Sequence, residues 1–251
     1  MHALRTLTLT QARLFLREPA SVFFGLVFPT LILVALGTLL PVMREPITAA
    51  APGQPALRGI DVYLPVVLAV AIATVALTTF PPTFGAYREK GILRRLSTTP
   101  LRASHLLVAE VTVNVVVLLV GVAAALVAGL ALLDVPAPRQ PGLVAAAFVL
   151  GVVQMLAVGG LVAALVPTAG AASVASMSLY FPMLFFAGVW VPTPVMSETL
   201  RTISAVMPLG AVSQALTEGW FGSGVPALQL AVMAAWTAVL VPLAAWLFRW
   251  T

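Results

Sequence analysis

Six apolar runs dominate the sequence, at about residues 22–42, 62–81, 106–133, 143–166, 172–191 and 226–246. Each is long enough to cross a hydrocarbon core of about 30 Å as a helix rising 1.5 Å per residue. Hydrophobic residues make up 61% of the 251-residue chain and charged residues 8%, whereas soluble domains carry roughly 25% charged residues. The sequence therefore predicts an all-α integral membrane protein with six transmembrane helices, forming a single transmembrane domain over residues 1–251. The net charge of +5 does not indicate nucleic acid. The bases cluster in short segments beside apolar runs, and no soluble domain is left to carry a binding surface. Anionic lipid and membrane topology account for them. There is no cysteine, which excludes disulfides and thiolate chemistry. His2 and His105 lie far apart with no HExxH or carboxylate cluster, so no metal site is expected.

The segments around the runs complete the architecture. Residues 3–17 carry Leu4, Leu7, Leu14 and Phe15 on one arc and Arg5, Arg13 and Arg17 opposite, the pattern of an amphipathic helix on a membrane surface. The alternation Leu7-Thr-Leu-Thr10 also fits a short strand, and Pro19 is expected to break the segment. Pro81-Pro82 should end the second run, because neither residue can donate a helix hydrogen bond. Ala49-Ala50-Ala51 resembles a signal-peptidase site, but the run before it is longer than a signal core, and we expect it to remain uncleaved. Residues 192–224 are too polar to span. Leu200, Ile203, Val206 and Met207 nevertheless recur at helical spacing between Pro194 and Pro208, which predicts a re-entrant outer helical hairpin before the last span.

Within the runs, polar residues are few. Glu110 and Asn114 share a face of the third; Glu110 is expected to form a structural ion pair with Arg102 or another loop base, or to act in gating. Gln154 in the fourth run requires a partner, either across a helix contact or in a substrate. Gly151, Gly159 and Gly160 would let backbones approach closely. In the fifth run Ser173, Ser176 and Tyr180 form a mildly polar stripe, suited to helix packing or to lining a substrate path, with Pro182 nearby.

Residues 87–101 are the densest charged segment and hold Lys90, the only lysine. On one helix Arg88, Lys90, Arg94 and Arg95 would share an arc, with Ile92, Leu93 and Leu96 opposite and Glu89 inside the apolar arc. A carboxylate there has to be solvated, paired or met by another protein. With six spans and both ends on one side, that side carries Arg5, Arg13, Arg17, Arg88, Lys90, Arg94, Arg95, Arg102 and Arg249. The other carries Arg44, Arg58, Arg139 and Arg201. The positive-inside rule makes the first side, with both termini, cytoplasmic.

The spacing Arg88-Glu89-x-Gly91-x-Leu93-x-x-Leu96-x-x-Thr99-Pro100-Leu101, between the second and third runs, resembles the cytoplasmic loop of ABC-2 type permeases, the membrane subunits of a class of ABC exporters. It departs from the common pattern at Tyr87, Ile92 and Arg94. The resemblance continues in Phe186-Ala-Gly-Val-Trp-Val-Pro192 with Pro194, and in Met207-Pro208-Leu209, similar to the fifth-span exit and outward-facing helices of that family. It implies a coupling helix that touches a separate ATPase through Arg88, Glu89, Lys90, Gly91, Leu93, Arg94, Arg95, Leu96, Thr99 and Pro100. It further implies two ATPase copies holding ATP and Mg, and two permeases, identical or closely related, with no cofactor on this chain. A substrate route would lie between the permeases, lined partly by the first, second and fifth spans. The cargo of similar permeases, those of the daunorubicin-resistance and lipid or polysaccharide export group, is a drug, a lipid or a lipid-linked glycan moved out across the plasma or inner membrane. The segment also fits a basic loop that serves topology alone.

The energy source is constrained independently. A P-loop needs GxxxxGK[ST], and Lys90 follows Glu89 and precedes Gly91. An ion-coupled carrier keeps ionisable groups near the bilayer midplane, and the central turns of the six runs contain none. A carrier acting without an ATPase is the rival reading, and a membrane enzyme a third that no paired carboxylates or activated serine support. The absence of native cysteine makes orientation directly testable: a cysteine placed at Lys90 should react with a membrane-impermeant maleimide only after the cytoplasmic face is opened. Labelling in intact cells would reverse the topology.

Overall fold

The computed structural model describes residues 2–47, 56–97 and 103–247. In chain order the helices are α1 (His2–Leu16), α2 (Pro19–Leu39), α3 (Gly59–Glu89), α4 (Ile92–Ser97), α5 (His105–Leu132), α6 (Pro141–Leu165), α7 (Ala169–Phe186), α8 (Glu198–Val206), α9 (Pro208–Phe221) and α10 (Ala227–Leu247). Six of these, α2, α3, α5, α6, α7 and α10, are long and apolar enough to cross a membrane.

The bundle is built around α3, whose most apolar 18-residue window is 100% buried within the chain, while no other span exceeds 50%. Helices α2, α5, α6, α7 and α9 pack on it, and α10 closes the outside against α6 and α9. The second span is thus shielded by its own chain. The faces left open to lipid belong to the other spans, among them Phe24 and Leu31 of α2 and Val174 and Phe181 of α7.

Helix α3 does not stop at Pro81-Pro82, as the sequence predicts; it runs on to Glu89. The reason is a π turn at Val75–Thr79 directly before Phe80-Pro81-Pro82, which puts the prolines in the first turn of a new helical register, where no N–H is required. The hydroxyls of Thr74, Thr78 and Thr83 donate to the Val70, Thr74 and Thr79 carbonyls at 2.7–2.8 Å, and the single Thr79 hydroxyl proton is shared between the Val75 carbonyl at 2.7 Å and Asn114 Oδ1 at 2.6 Å. The same device recurs in α2, where a π turn at Phe23–Val27 precedes Phe28-Pro29. Pro19 ends the α1 segment as expected and opens α2 at its first position, so the first span begins and ends earlier than the sequence predicts, with Pro41–Arg44 forming a separate 3-10 turn.

Helix α1 is helical over the Leu7–Thr10 alternation. It lies along α5, burying Gln11, while Leu9, Leu14 and Leu16 remain exposed. Of the expected apolar arc, Phe15 packs toward α5 together with Thr8, Gln11 and Ala12, while Leu14 stays exposed, as an arc facing a membrane requires. Between residues 87 and 97 the single amphipathic helix expected from the sequence is two pieces, the end of α3 and the short α4, parted at Lys90 and Gly91.

At the far end of the bundle α8 and α9 form the expected helical hairpin, turning at Met207–Pro208. Most of α9 is buried among α3, α6 and α10, whereas α8 lies on the surface. Gln154 Nε2 donates to the Pro208 carbonyl at 3.1 Å, and Ser204 and Ser213 donate to the Phe186 and Ala187 carbonyls at 2.6 Å. Gln154 is therefore engaged by the hairpin across a helix contact. Arg58 and Asp61 close the same end of α3 with a 2.7 Å ion pair, and Arg58 also donates to the Leu133 and Asp134 carbonyls.

The α3–α6 crossing is set by Gly159, where an added Cβ would overlap the Ala76 carbonyl of the π turn; at neighbouring Gly160 it would meet only a methyl at 3.7 Å. Gly159→Ala should therefore cost about 1–3 kcal/mol in thermal unfolding of the detergent-solubilised protein, and Gly160→Ala should be close to neutral.

Candidate functional site

The end of α3 is where the charged segment meets the bundle. Gly85, buried one turn before it, packs on the turn between α6 and α7; a Cβ there would lie 2.6 Å from the Thr168 carbonyl oxygen. That contact brings Arg88 and Glu89 to two helix ends at once. The Arg88 guanidinium donates to the carbonyls of Ala163 and, at 2.9 Å, Val166, in the last turn and cap of α6. The Glu89 carboxylate accepts from the Ala169 N–H at 3.4 Å, the first residue of α7. Thr168 completes that cap by accepting from the Ala171 N–H at 3.2 Å. The signs are complementary: a cation meets the negative end of one helix dipole, and an anion meets the positive end of the next. Glu89 is exposed as well, so its charge remains solvated.

Beyond this contact the chain turns sharply. Gly91 has φ +66° with no neighbour within 4 Å of a Cβ, a left-handed conformation that a glycine accepts without steric cost. Its N–H bonds the Arg88 carbonyl at 2.9 Å. Helix α4 then doubles back, with Leu93 buried at 3% exposure and contacts to both α3 and α5. Lys90 and Arg95 are exposed. Arg94 and Leu96 belong to α4, while Thr99, Pro100 and Arg102 lie outside the described residues.

A buried polar group supports the elbow from the other side. The Tyr87 hydroxyl donates to Gln11 Oε1 of α1 at 2.8 Å. Asn114 Nδ2 donates to the Glu110 carbonyl and carboxylate at 2.9 and 3.1 Å, and Thr79 donates to Asn114 Oδ1 at 2.6 Å. Glu110 and Asn114 thus share the face expected of them, and no ion pair to Glu110 is formed among the described residues. The polar stripe of α7 turns inward. Ser176 is buried, Tyr180 shares a 2.7 Å hydrogen bond with Thr74 of α3, and Ser173 donates to the Ala169 carbonyl. Ser173 also edges a shallow cleft of about 450 Å³ with Val174, Ser178 and Phe181. No three His, Asp or Glu side chains converge to hold a metal among the described residues.

Sequence reasoning did not single out Gly85, Gln11 or Thr168. Thr168, directly before Ala169-Gly170-Ala171, carried a readable helix-start signal; Gly85 and Gln11 carried none.

A bundle of six membrane-crossing helices, with a charged elbow fastened to two helix ends on one side, defines a multi-pass membrane protein of the permease class. The chain belongs to the ABC-2 type transporter family, whose model matches residues 2–221, from α1 through α9. It is accordingly a membrane subunit of an ABC transporter. No curated protein matches the chain.

Arg88→Ala removes charge-assisted bonds worth about 1.5–3 kcal/mol and should lower stability by a similar amount. Hydrogen exchange should quicken at the last amides of α6 and the first amides of α7. Lysine at position 88 should recover part of the loss.

Proposed function

We propose that this chain is the permease of an ATP-driven exporter that carries a hydrophobic or amphipathic substrate outward: a drug, a lipid or a lipid-linked glycan. Two copies, or this chain and a close relative, work with two separate ATPases that hold ATP and Mg. The assembly sits in the plasma or inner membrane with both termini and the Arg88–Pro100 segment cytoplasmic. The observation that carries this reading is the elbow, where one short charged segment is continuous with α3, packs on α5 through α4, and is bonded to the ends of α6 and α7. A push on α4 by an ATPase would therefore reach the second, third, fourth and fifth spans together as a rigid-body displacement. Lys90, Arg94 and Arg95 supply the charge for that contact, and Leu93 ties it to the bundle.

The substrate route is assigned to the interface between permeases, along the lipid-facing sides of α2 and α7; the second span, which the resemblance adds to the lining, is buried within its own chain. Ser173 stands at the edge of the cleft on α7, while Ser176 and Tyr180 serve the route from behind by fixing α7 to α3. Glu110 acts as a structural member of the polar group beneath the elbow, with any change in its partners during the cycle available for gating.

Glu89→Ala and Gly91→Ala test this directly. The first frees the start of α7; the second imposes a left-handed conformation that costs an L side chain about 1–2 kcal/mol. In proteoliposomes containing the cognate ATPase, each should reduce substrate moved per ATP hydrolysed by about fivefold, a coupling loss of about 1 kcal/mol, while hydrolysis continues. Normal transport per ATP in the double variant would remove the coupling role. Substrate movement under an imposed proton gradient, with no ATPase present, would replace the exporter with an ion-coupled carrier.

A further inference from the structure

At the end of the bundle opposite the elbow, α8, α9 and the start of α10 enclose a cavity of about 480 Å³. Its charge pattern is specific. Arg201 of α8 and Glu218 of α9 both line it and do not pair with each other, the ion pair among the described residues being Arg58–Asp61. The Arg201 guanidinium has no hydrogen-bond or ion-pair partner among the described residues. Glu218 is oriented by the Gly224 N–H, which donates to its Oε1 at 3.3 Å. Thr193, on the same wall, has a buried hydroxyl with no partner. The frame around these groups is fixed in advance: Gln214 Nε2 donates to the Arg201 carbonyl and to Ser204 Oγ, both at 3.0 Å, and Gln229 donates to Gln214 Oε1 at 3.0 Å. The rim is apolar, with Val225 69% and Leu228 58% exposed.

These features select one ligand chemistry. An anion would satisfy Arg201 and be repelled by Glu218. A cation would meet the reverse, and a neutral headgroup would leave both charges without a counter-charge. A zwitterion satisfies both, since each charge-assisted bond is stronger than a neutral one. The exposed Val225 and Leu228 add the apolar contact that a hydrocarbon tail requires. We propose that this cavity binds the headgroup of a zwitterionic amphiphile, its phosphate or carboxylate at Arg201, its ammonium at Glu218, and its tail leaving over Val225 and Leu228. The Thr193 hydroxyl supplies a further hydrogen bond to the headgroup. Binding at this cavity is independent of the direction or energy source of transport.

The test is a calorimetric titration of the purified full chain in maltoside detergent with three probes: lysophosphatidylethanolamine, lysophosphatidylglycerol and dodecylammonium. The zwitterion should bind about tenfold more tightly than either singly charged probe, the equivalent of ~1.4 kcal/mol for one additional charged contact. Glu218→Gln keeps an acceptor for Gly224 and should erase the preference for the zwitterion over phosphatidylglycerol. Arg201→Gln, at an exposed position, should lower both phospholipid affinities about tenfold and leave dodecylammonium no weaker. Equal binding of the zwitterion and the anion by the unaltered protein would overturn the proposal, as would a preference that survives Glu218→Gln. Movement of the bound lysolipid by the reconstituted complex would identify it as cargo; binding without movement would identify it as a lipid of the surrounding bilayer.

Discussion

The burial of α3 is the constraint on which the other helices depend. A backbone in hydrocarbon has no water to satisfy it, and every carbonyl must find an internal partner. The axis of this bundle nevertheless contains consecutive prolines that cannot donate. The π turn at Val75–Thr79 accommodates them by placing both in the first turn of a new helical register, where no N–H is required. The repaired helix can then continue past the prolines to carry Arg88 and Glu89 to the bundle surface. Because the π turn is also the point where Gly159 of α6 presses on the Ala76 carbonyl, the irregularity that keeps α3 continuous helps set how closely its neighbour packs.

Helix ends organise both extremities. On one side the free carbonyls of α6 and free amides of α7 are met by a cation and an anion adjacent in sequence on a third helix. A rigid link between three helices thus costs only two side chains. On the other side α9 is inserted among the spans, and its first turn is held by Gln154 from the middle of α6. Helix α6 therefore connects the two ends, touched by the hairpin along its first half and by Arg88 at its last turn.

Some residues announced their roles in the sequence and others could not. The hairpin was legible from Pro194, Pro208 and the spacing of Leu200, Ile203 and Val206, because proline and amphipathic periodicity act locally. Gln154 was legible as a residue in need of a partner, though not which one. The prolines at 81 and 82 misled, since their effect depends on the turn before them and a π turn has no sequence signature as plain as a cap. The stripe of Ser173, Ser176 and Tyr180 was legible as a stripe, but its direction toward Thr74 was not. A polar face in a membrane helix is equally compatible with a neighbour or a path until the packing is known.

The sequence by itself determined the six spans, the all-helical class and the position of the charged segment, for these follow from apolar run length and the distribution of bases; that residues 2–16 form a helix and not a strand was decided by packing on α5. Tertiary structure alone decided that α3 is the axis, that the second span is hidden from lipid, and that Arg88 and Glu89 serve the ends of α6 and α7. Their partners lie 75 to 80 residues further along the chain. A helix end offers its dipole only to the side chain that packing delivers to it, and no local pattern encodes that delivery.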